Sequence, residues 1–238
     1  MTSSPSLLSG RQKCHGGFTA IFAMLFATVL SQVAAAIPLQ TPGNFDPLFA
    51  GGLGKIASLS ISAGNDHANA VVLQPHGKIL LAGYCYTVSD YDFCVARLNV
   101  DGTLDATFVG AAGNGNGKLL LPVSTGGTKD DVLAAMALQG DGKIVLAGYC
   151  VASGNINQFC VARLNPDGSL VTNFDGPDVI PGDGKFLLTM GAFSTLATAL
   201  RVQPDGNIVM TGYCAITASN AEFCAARLLP GTARLIRA

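Results

Sequence analysis

One eight-residue phrase occurs three times in this chain at an almost constant spacing. It reads KILLAGYC at Lys78–Cys85, KIVLAGYC at Lys143–Cys150 and NIVMTGYC at Asn207–Cys214. Successive copies start 65 and 64 residues apart. A fixed period of this length indicates tandem units that each bury apolar surface against a neighbour, so the fold is set by the repeat and not by any single segment.

Other positions recur with the phrase and extend the repeat over whole units. They are Phe49, Phe108 and Phe174, Lys55, Lys118 and Lys185, Gln74, Gln139 and Gln203, and Arg97, Arg163 and Arg227. Between these anchors the second copy has four short runs suited to strands, separated by turn signals such as Gly-Asp-Gly and Asn-Pro-Asp-Gly. The runs are Lys118–Val123, Ala134–Gln139, Lys143–Cys150 and Phe159–Asn165. Each unit is therefore predicted to be a four-stranded antiparallel meander.

The third run of each unit is apolar on both faces. Ile144 and Leu146 alternate with Val145 and Ala147, whereas a sheet with one solvated face would alternate apolar with polar residues. Gly148 within this run favours the close approach of another chain segment. Four-stranded sheets stacked face to face are the blades of a β-propeller. The predicted fold is all-β, with three tandem blade-like repeats.

Six of the seven cysteines fall as one pair in each unit. A hairpin between the third and fourth strands places the two members of a pair opposite each other, within the distance that a disulfide accepts. Metal or redox roles are the alternative, but there is no C-x-x-C motif and no His at ligand spacing. The predicted disulfides are Cys85 with Cys94, Cys150 with Cys160, and Cys214 with Cys224. Such bridges imply an oxidising compartment.

The first 36 residues are typical of an export signal. Arg11 and Lys13 precede an apolar stretch at 18–30, and small residues end at Ala36, the predicted cleavage site. Cys14, the seventh cysteine, would be removed with this leader. Two alternatives stay open: a retained membrane anchor, because the apolar run approaches the roughly 20 residues that span a bilayer, and a prepilin-like leader.

Composition limits the classes of partner. The chain is 12% charged with a formal net charge of −1, and it has no basic patch for nucleic acid. No cofactor, catalytic residue or metal site is predicted. A membrane contact is expected only if the leader is retained.

The sequence also resembles a known family. The phrases Gln-Pro-Asp-Gly-Asn-Ile-Val at 203–209, Ala-Arg-Leu at 162–164 and Asn-Pro-Asp-Gly-Ser-Leu at 165–170 are similar to the delta-60 repeat, a bacterial β-propeller-type repeat. The resemblance covers about 44–228 and implies exported or surface-associated bacterial proteins, with no catalytic residues assigned to the repeat. The paired cysteines mark a variant. The end of the third unit also differs from the delta-60 pattern, because Leu-Pro-Gly-Thr follows Leu228 where the repeat has Asn-Pro-Asp-Gly.

Three units are fewer than the four to eight blades of a propeller, so an incomplete ring, an open arc or half ring, is expected. The predicted domains are a signal peptide (1–36), a linker (37–43), a repeat domain (44–229, divided at about 44–104, 105–170 and 171–229) and a tail (230–238). Exposed blade faces predict association as a homodimer or with a larger propeller partner. A truncated member of a longer family is the competing explanation.

Several polar positions invite a functional reading. Asp-Gly pairs at 101–102, 141–142, 167–168 and 205–206 would suit calcium, but each Asp stands alone before a Gly, as in a tight turn. His76 occupies a turn position, and His67 has no nucleophile near it in sequence. The recurring arginines are expected to pack between blades, although an anion-binding ring is the alternative. Tyr84, Tyr149 and Tyr213 are expected in the blade core, with a carbohydrate platform as the alternative.

The predicted function is therefore binding or scaffolding outside the cytoplasm, at the periplasm, the cell surface or in the medium, with an unknown protein or glycan ligand. The loops Thr87–Asp92, Ala152–Gln158 and Ala215–Glu222 are short, polar and dissimilar, so they do not identify it. Two other classes stay open: an exported propeller-type hydrolase or lyase, and a membrane-anchored component of a surface assembly.

Overall fold

The structure is a computed structural model that describes residues 42–110, 116–124, 129–152, 154–174 and 182–231. The chain divides into two units, 1–44 and 45–238. The predicted signal peptide with its cleavage at Ala36, most of the linker and residues 232–238 lie outside the described residues. Within the described ranges, no helix combines the length and hydrophobicity needed to cross a bilayer.

Eleven strands make up the described part of the second unit, joined by turns and two short 3-10 turns at Ala50–Gly52 and Pro75–Gly77. The strands are β1 (Asp66–Leu73), β2 (Ile79–Tyr86), β3 (Tyr91–Leu98), β4 (Lys118–Leu121), β5 (Asp131–Leu138), β6 (Ile144–Val151), β7 (Asn157–Leu164), β8 (Lys185–Leu188), β9 (Thr195–Val202), β10 (Ile208–Ala215) and β11 (Ala221–Leu228).

These strands form three antiparallel sheets, named blades here. Blade 1 has the order β1-β2-β3-β4 and blade 2 the order β5-β6-β7-β8, whereas blade 3 contains β9-β10-β11 within the described residues. None of the sheets closes into a barrel. The predicted all-β fold of tandem blade-like sheets, an incomplete propeller, is confirmed.

The sequence repeat and the blade are offset by one strand. The run that begins at Lys118 was expected to open the second blade, but as β4 it pairs with β3 and completes blade 1. In the same way β8, which begins at Lys185, pairs with β7 and completes blade 2. Grouping four consecutive runs of one repeat into one sheet was therefore wrong. The short β4 and β8 hydrogen-bond to the preceding sheet and tie consecutive blades together.

The glycine of the repeated phrase accommodates a bulge in the neighbouring strand. In blade 2 the register between β5 and β6 shifts between Leu133 and Ala135. A Cβ atom on Gly148 would lie 2.0 Å from the carbonyl oxygen of Val132, so a side chain here would collide with backbone. The equivalent distances are 1.7 Å at Gly83 and 1.9 Å at Gly212. The predicted close approach comes from the same sheet and not from the next blade.

Two apolar cores hold the blades face to face. One lies between blades 1 and 2 and includes Leu80, Phe93, Val95, Leu133 and Leu146. The other lies between blades 2 and 3 and includes Val145, Phe159, Val161, Met210 and Leu228. Blade 2 therefore contributes alternate residues of β6 to both cores, as its two apolar faces predicted.

Each blade contains the predicted disulfide, with Cα–Cα separations of 5.8, 5.7 and 5.8 Å. The two cysteines of a bridge are diagonal and do not face each other directly. In blade 2, Cys150 faces Gln158, and Cys160 faces Gly148. Residues two apart in register lie on the same sheet face within side-chain reach, so the bridge still forms across the hairpin.

Candidate binding surface

Each junction between blades contains an arginine from the end of the third strand. At junction 1, between blades 1 and 2, Arg97 is 6% exposed. Its Nε donates to Asp105 Oδ2 at 2.6 Å, and Nη1 donates to the carbonyl oxygen of Pro166 in the next blade. Nη2 donates to Thr107 Oγ1 at 2.9 Å, and the guanidinium lies 4.9 Å from the ring centroid of Phe108. This arginine fastens blade 1 to the turn that follows β7 in blade 2.

Asp105 is the acidic centre of junction 1. Burial alone would raise the pKa of Asp105, but hydrogen bonds from Lys78 and Thr107, together with the Arg97 charge, hold it well below the usual range. The carboxylate is only 3% exposed and stays ionised. Sequence reasoning missed it. The sequence signal that could have identified Asp105 is its position eight residues after Arg97. Val171 holds the same position after Arg163 in the next repeat.

Junction 2, between blades 2 and 3, lacks this carboxylate. Arg163 Nη1 donates to the carbonyl oxygen of Pro230, and its guanidinium lies 4.1 Å from the ring centroid of Phe174. Val171 occupies the place of Asp105, because each donates its amide to the carbonyl of the arginine eight residues earlier, both at 2.9 Å. Arg163 Nε is buried and has no hydrogen-bond partner among the described residues. The inter-blade packing expected for the arginines is thus found at Arg97 and Arg163, whereas Arg227 is exposed.

Carboxylates also gather at the hairpin end of junction 1. Burial, followed by the charges of Asp131 and Asp90, raises the pKa of Asp92 to about 6. Asp131 accepts from the amides of Val123 and Ser124 at 2.6 and 2.9 Å, while its Oδ1 is buried without a partner among the described residues. Junction 2 has Gln158 and Thr195 at the positions of Asp92 and Asp131. Sequence reasoning missed this cluster, because its members come from two repeats.

The repeated tyrosines occupy the same register position in the three blades, and each faces the repeated phenylalanine of the next strand. Burial first, and then the electrostatic influence of Tyr213 and Tyr84, raise the pKa of Tyr149. Tyr84 and Tyr149 are half-buried and Tyr213 is 44% exposed, so the expectation that they lie in the core is wrong in part. We call these three residues the tyrosine row.

Two further aromatic rings extend the row on blade 1. His67 stacks on Tyr84 with ring centroids 4.7 Å apart, and Tyr91 meets Tyr84 edge-on at 5.2 Å. Asp130 accepts the amide of Tyr91 at 3.1 Å, which links this aromatic group to the segment before β5. The result is a set of half-exposed aromatic faces beside carboxylates, an arrangement that can stack on a flat apolar surface and accept hydrogen bonds.

The Asp-Gly positions serve turns. Gly102, Gly142, Gly168 and Gly206 have φ between 82° and 91°. Each preceding Asp accepts the amide two residues further on, at 2.9 to 3.1 Å. His76, with φ 66°, occupies the same turn position in the first repeat. Within the described ranges, no group of three or more His, Cys, Asp or Glu side chains is placed to hold a metal ion.

A match to a known protein family agrees with this architecture. Residues 74–108 and 139–174 match a family described as a β-propeller domain of unknown function, DUF5122. Both matches run from the repeated glutamine to the repeated phenylalanine. Among solved structures, a protein of unknown function from Bacteroides caccae is similar at 13% identity, with 71% of this chain covered and a TM-score of 0.33. This chain spans 59% of that protein's length. No curated protein matches the chain.

Proposed function

We propose that this protein is a non-catalytic binding or scaffolding module that is exported and acts through the tyrosine row. The three disulfides indicate a location outside the cytoplasm. The leader supports export into the periplasm, onto the cell surface or into the medium. A retained leader would instead make the protein a membrane-anchored component of a surface assembly.

The observation that carries the proposal is how the recurring polar side chains are used. Arg97 and Arg163 hold blades together, and the Asp-Gly carboxylates cap their own turns. The aromatic faces of the tyrosine row remain partly open to solvent in all three repeats. Repeated, half-exposed aromatic rings beside carboxylates favour recognition of a glycan or a protein segment over chemistry.

One feature favours the second candidate, an exported hydrolase or lyase. A carboxyl with a pKa of about 6 beside other carboxylates is suited to proton transfer. However, Asp131 is bound by backbone amides, and Asp90 accepts from Thr87 and from the Lys129 amide. Two of the three acids thus support loops. Asp92→Asn separates the roles, since it would abolish turnover in an enzyme and leave binding by the tyrosine row intact.

The binding proposal is tested by tyrosine emission, which is readable because the chain has no Trp. The oxidised protein is titrated with a panel of neutral oligosaccharides and, separately, with basic peptides. We expect saturable binding in one panel, weakened at least about tenfold by Tyr149→Ala. Val88→Ala, at a 98% exposed loop position, is the matched control. No binding in either panel, or equal binding by Tyr149→Ala, would contradict the proposal. Mass spectrometry of the exported protein tests cleavage after Ala36.

A further inference from the structure

The outer face of blade 3 exposes positions that are buried in the other blades. Phe93 and Phe159 are both 0% exposed at junctions 1 and 2, whereas the equivalent Phe223 is 99% exposed. Its cross-strand partner Tyr213 is 44% exposed. Within the described residues β11 also pairs on one side only, with β10. Blade 3 therefore ends in half of a junction, with an aromatic pair and a free strand edge.

The opposite end of the molecule carries the complementary half. The turn at Asp46–Phe49 has the geometry of the turn at Asp105–Phe108. Leu48 donates to Asp46 Oδ1 at 2.9 Å, and Thr107 donates to Asp105 Oδ1 at 3.1 Å. Each turn is seated on the following blade, because Ala50 donates to the Asp101 carbonyl at 2.7 Å and Val109 to the Asp167 carbonyl at 2.8 Å. Blade 1 thus holds the residues that would receive the arginine of a preceding blade.

The segment at 56–61 resembles the segment that follows β4 at junction 1. The amide of Ile61 donates to Asp66 Oδ2 at 2.6 Å, which matches the bond from Val123 to Asp131. In the second repeat Val123, the equivalent of Ile61, comes shortly after β4, the strand that completes the preceding blade. In the first repeat no preceding blade is present among the described residues, and the segment lies over blade 1 without pairing as a strand.

A cavity of about 240 Å³ separates this segment from blade 1. Its lining includes Ile56, Leu59, Ile61, Ala68, Leu81 and Cys85. Leu81 and Cys85 correspond to Leu146 and Cys150, which belong to the core that contains Phe93. A buried cavity of about 150 Å³ is enough to hold a benzene ring. At junction 1 the core that contains Leu146 and Cys150 also includes Phe93 of the preceding blade.

We propose that two copies of this chain associate head to tail through these faces, blade 3 of each against blade 1 of the other. Phe223 of one copy fills the cavity beside Ala68 of the other, and the segment at 56–61 completes blade 3 along the free edge of β11. Three blades from each copy make a ring of six, within the four to eight of known propellers. Two identical contacts close the ring and leave no terminal face open.

The charges on the two faces are also complementary. Arg227 of one copy corresponds to Arg97, so its partners on the other copy are Asp46, the ring of Phe49 and the carbonyl of Val100. These correspond to Asp105, Phe108 and Pro166, the partners of Arg97 at junction 1. The contact between the two copies would thus reproduce junction 1, with Asp46 in the place of Asp105.

The test is the mass of the oxidised protein measured by sedimentation over a range of concentrations. We expect one species of twice the chain mass that does not grow further. Phe223→Asp should raise the dissociation midpoint at least about thirtyfold. Because Phe223 is exposed in the single chain, this variant should fold with unchanged far-UV circular dichroism. Val88→Asp introduces the same charge at an equally exposed apolar site and should leave the dimer intact.

A charge exchange makes the assignment specific. Arg227→Glu should dissociate the dimer, and adding Asp46→Arg to that variant should restore it at least in part. A monomeric wild type, a mass that rises steadily with concentration, or a dimer unaffected by both Phe223→Asp and Arg227→Glu would overturn the proposal.

Discussion

Junctions 1 and 2 use the same backbone geometry and the same arginine, yet their electrostatics differ. At junction 1 Arg97 is neutralised by Asp105, and carboxylates also occupy the hairpin end. At junction 2 valine, glutamine and threonine stand at those positions, and Arg163 keeps only carbonyl and aromatic partners among the described residues. Burial lowers the pKa of Arg163. The packing of the repeat therefore tolerates the loss of its ion pairs, and charge is the part that varies.

The largest difference is expected when each arginine is removed. Arg97→Ala leaves Asp105 buried without its guanidinium, so the free energy of unfolding should fall by about 3–5 kcal/mol. Arg163→Ala leaves no buried acid behind and should cost about 1–2 kcal/mol. Urea denaturation at pH 7 with the disulfides intact measures both. Equal losses would mean that Asp105 has no part in junction 1.

The second test is the acid limb of stability. The pKa of Asp105 is lower in the folded chain than in the unfolded chain, where it is about 4. The ionised carboxylate therefore stabilises the fold fully when the pH is above about 4, and this stabilisation is lost as the pH falls below that value. Asp105→Asn should lose about 2 kcal/mol at pH 7 and show a flatter decline below pH 4. Asp205→Asn, at an exposed turn in the third repeat, is the control and should keep the wild-type decline. A variant with an unchanged acid limb would contradict the assignment.

A third variant converts junction 2 into junction 1. Val171→Asp places a carboxylate beside the buried Nε of Arg163, and the free energy of unfolding should rise by about 1–2 kcal/mol at pH 7. The gain should vanish in the double variant with Arg163→Ala. Val171→Asn supplies the shape without the charge and should not be stabilising. A loss of stability in Val171→Asp would show that junction 2 has no room for the pair.

The smallest effect is expected at the hairpin end. The folded pKa of Asp92 is raised to about 6, so its charge destabilises the fold above pH 6 and this cost disappears as the pH falls toward 4. Asp92→Gln, which copies Gln158 of junction 2, should gain about 1 kcal/mol at pH 8 and nothing at pH 4. Thermal melts at the two values measure the difference. The same gain at both would exclude the charge as the cause.

Local structure was predictable from the repeat, whereas relations between repeats were not. The phrase ending at Cys150 predicted a strand that is buried on both faces, and the spacing to Cys160 predicted the bridge, because both depend on neighbours within one hairpin. The offset of β4 was missed, since the choice between two adjacent sheets depends on packing that a one-dimensional pattern does not contain. Asp105 and Asp92 were missed because their partners lie on other elements. The burial of Tyr149 was overestimated, because its position near the end of the blade depends on how the blades pack.

The offset of one strand bears on how such a chain can lengthen. Since β4 and β8 each complete the sheet before them, a duplicated unit of about 65 residues brings a last strand for its predecessor and receives one from its successor. No internal sheet is left short at any intermediate length. Gene duplication can therefore add blades one at a time, and only the two ends of the array need to change with each addition.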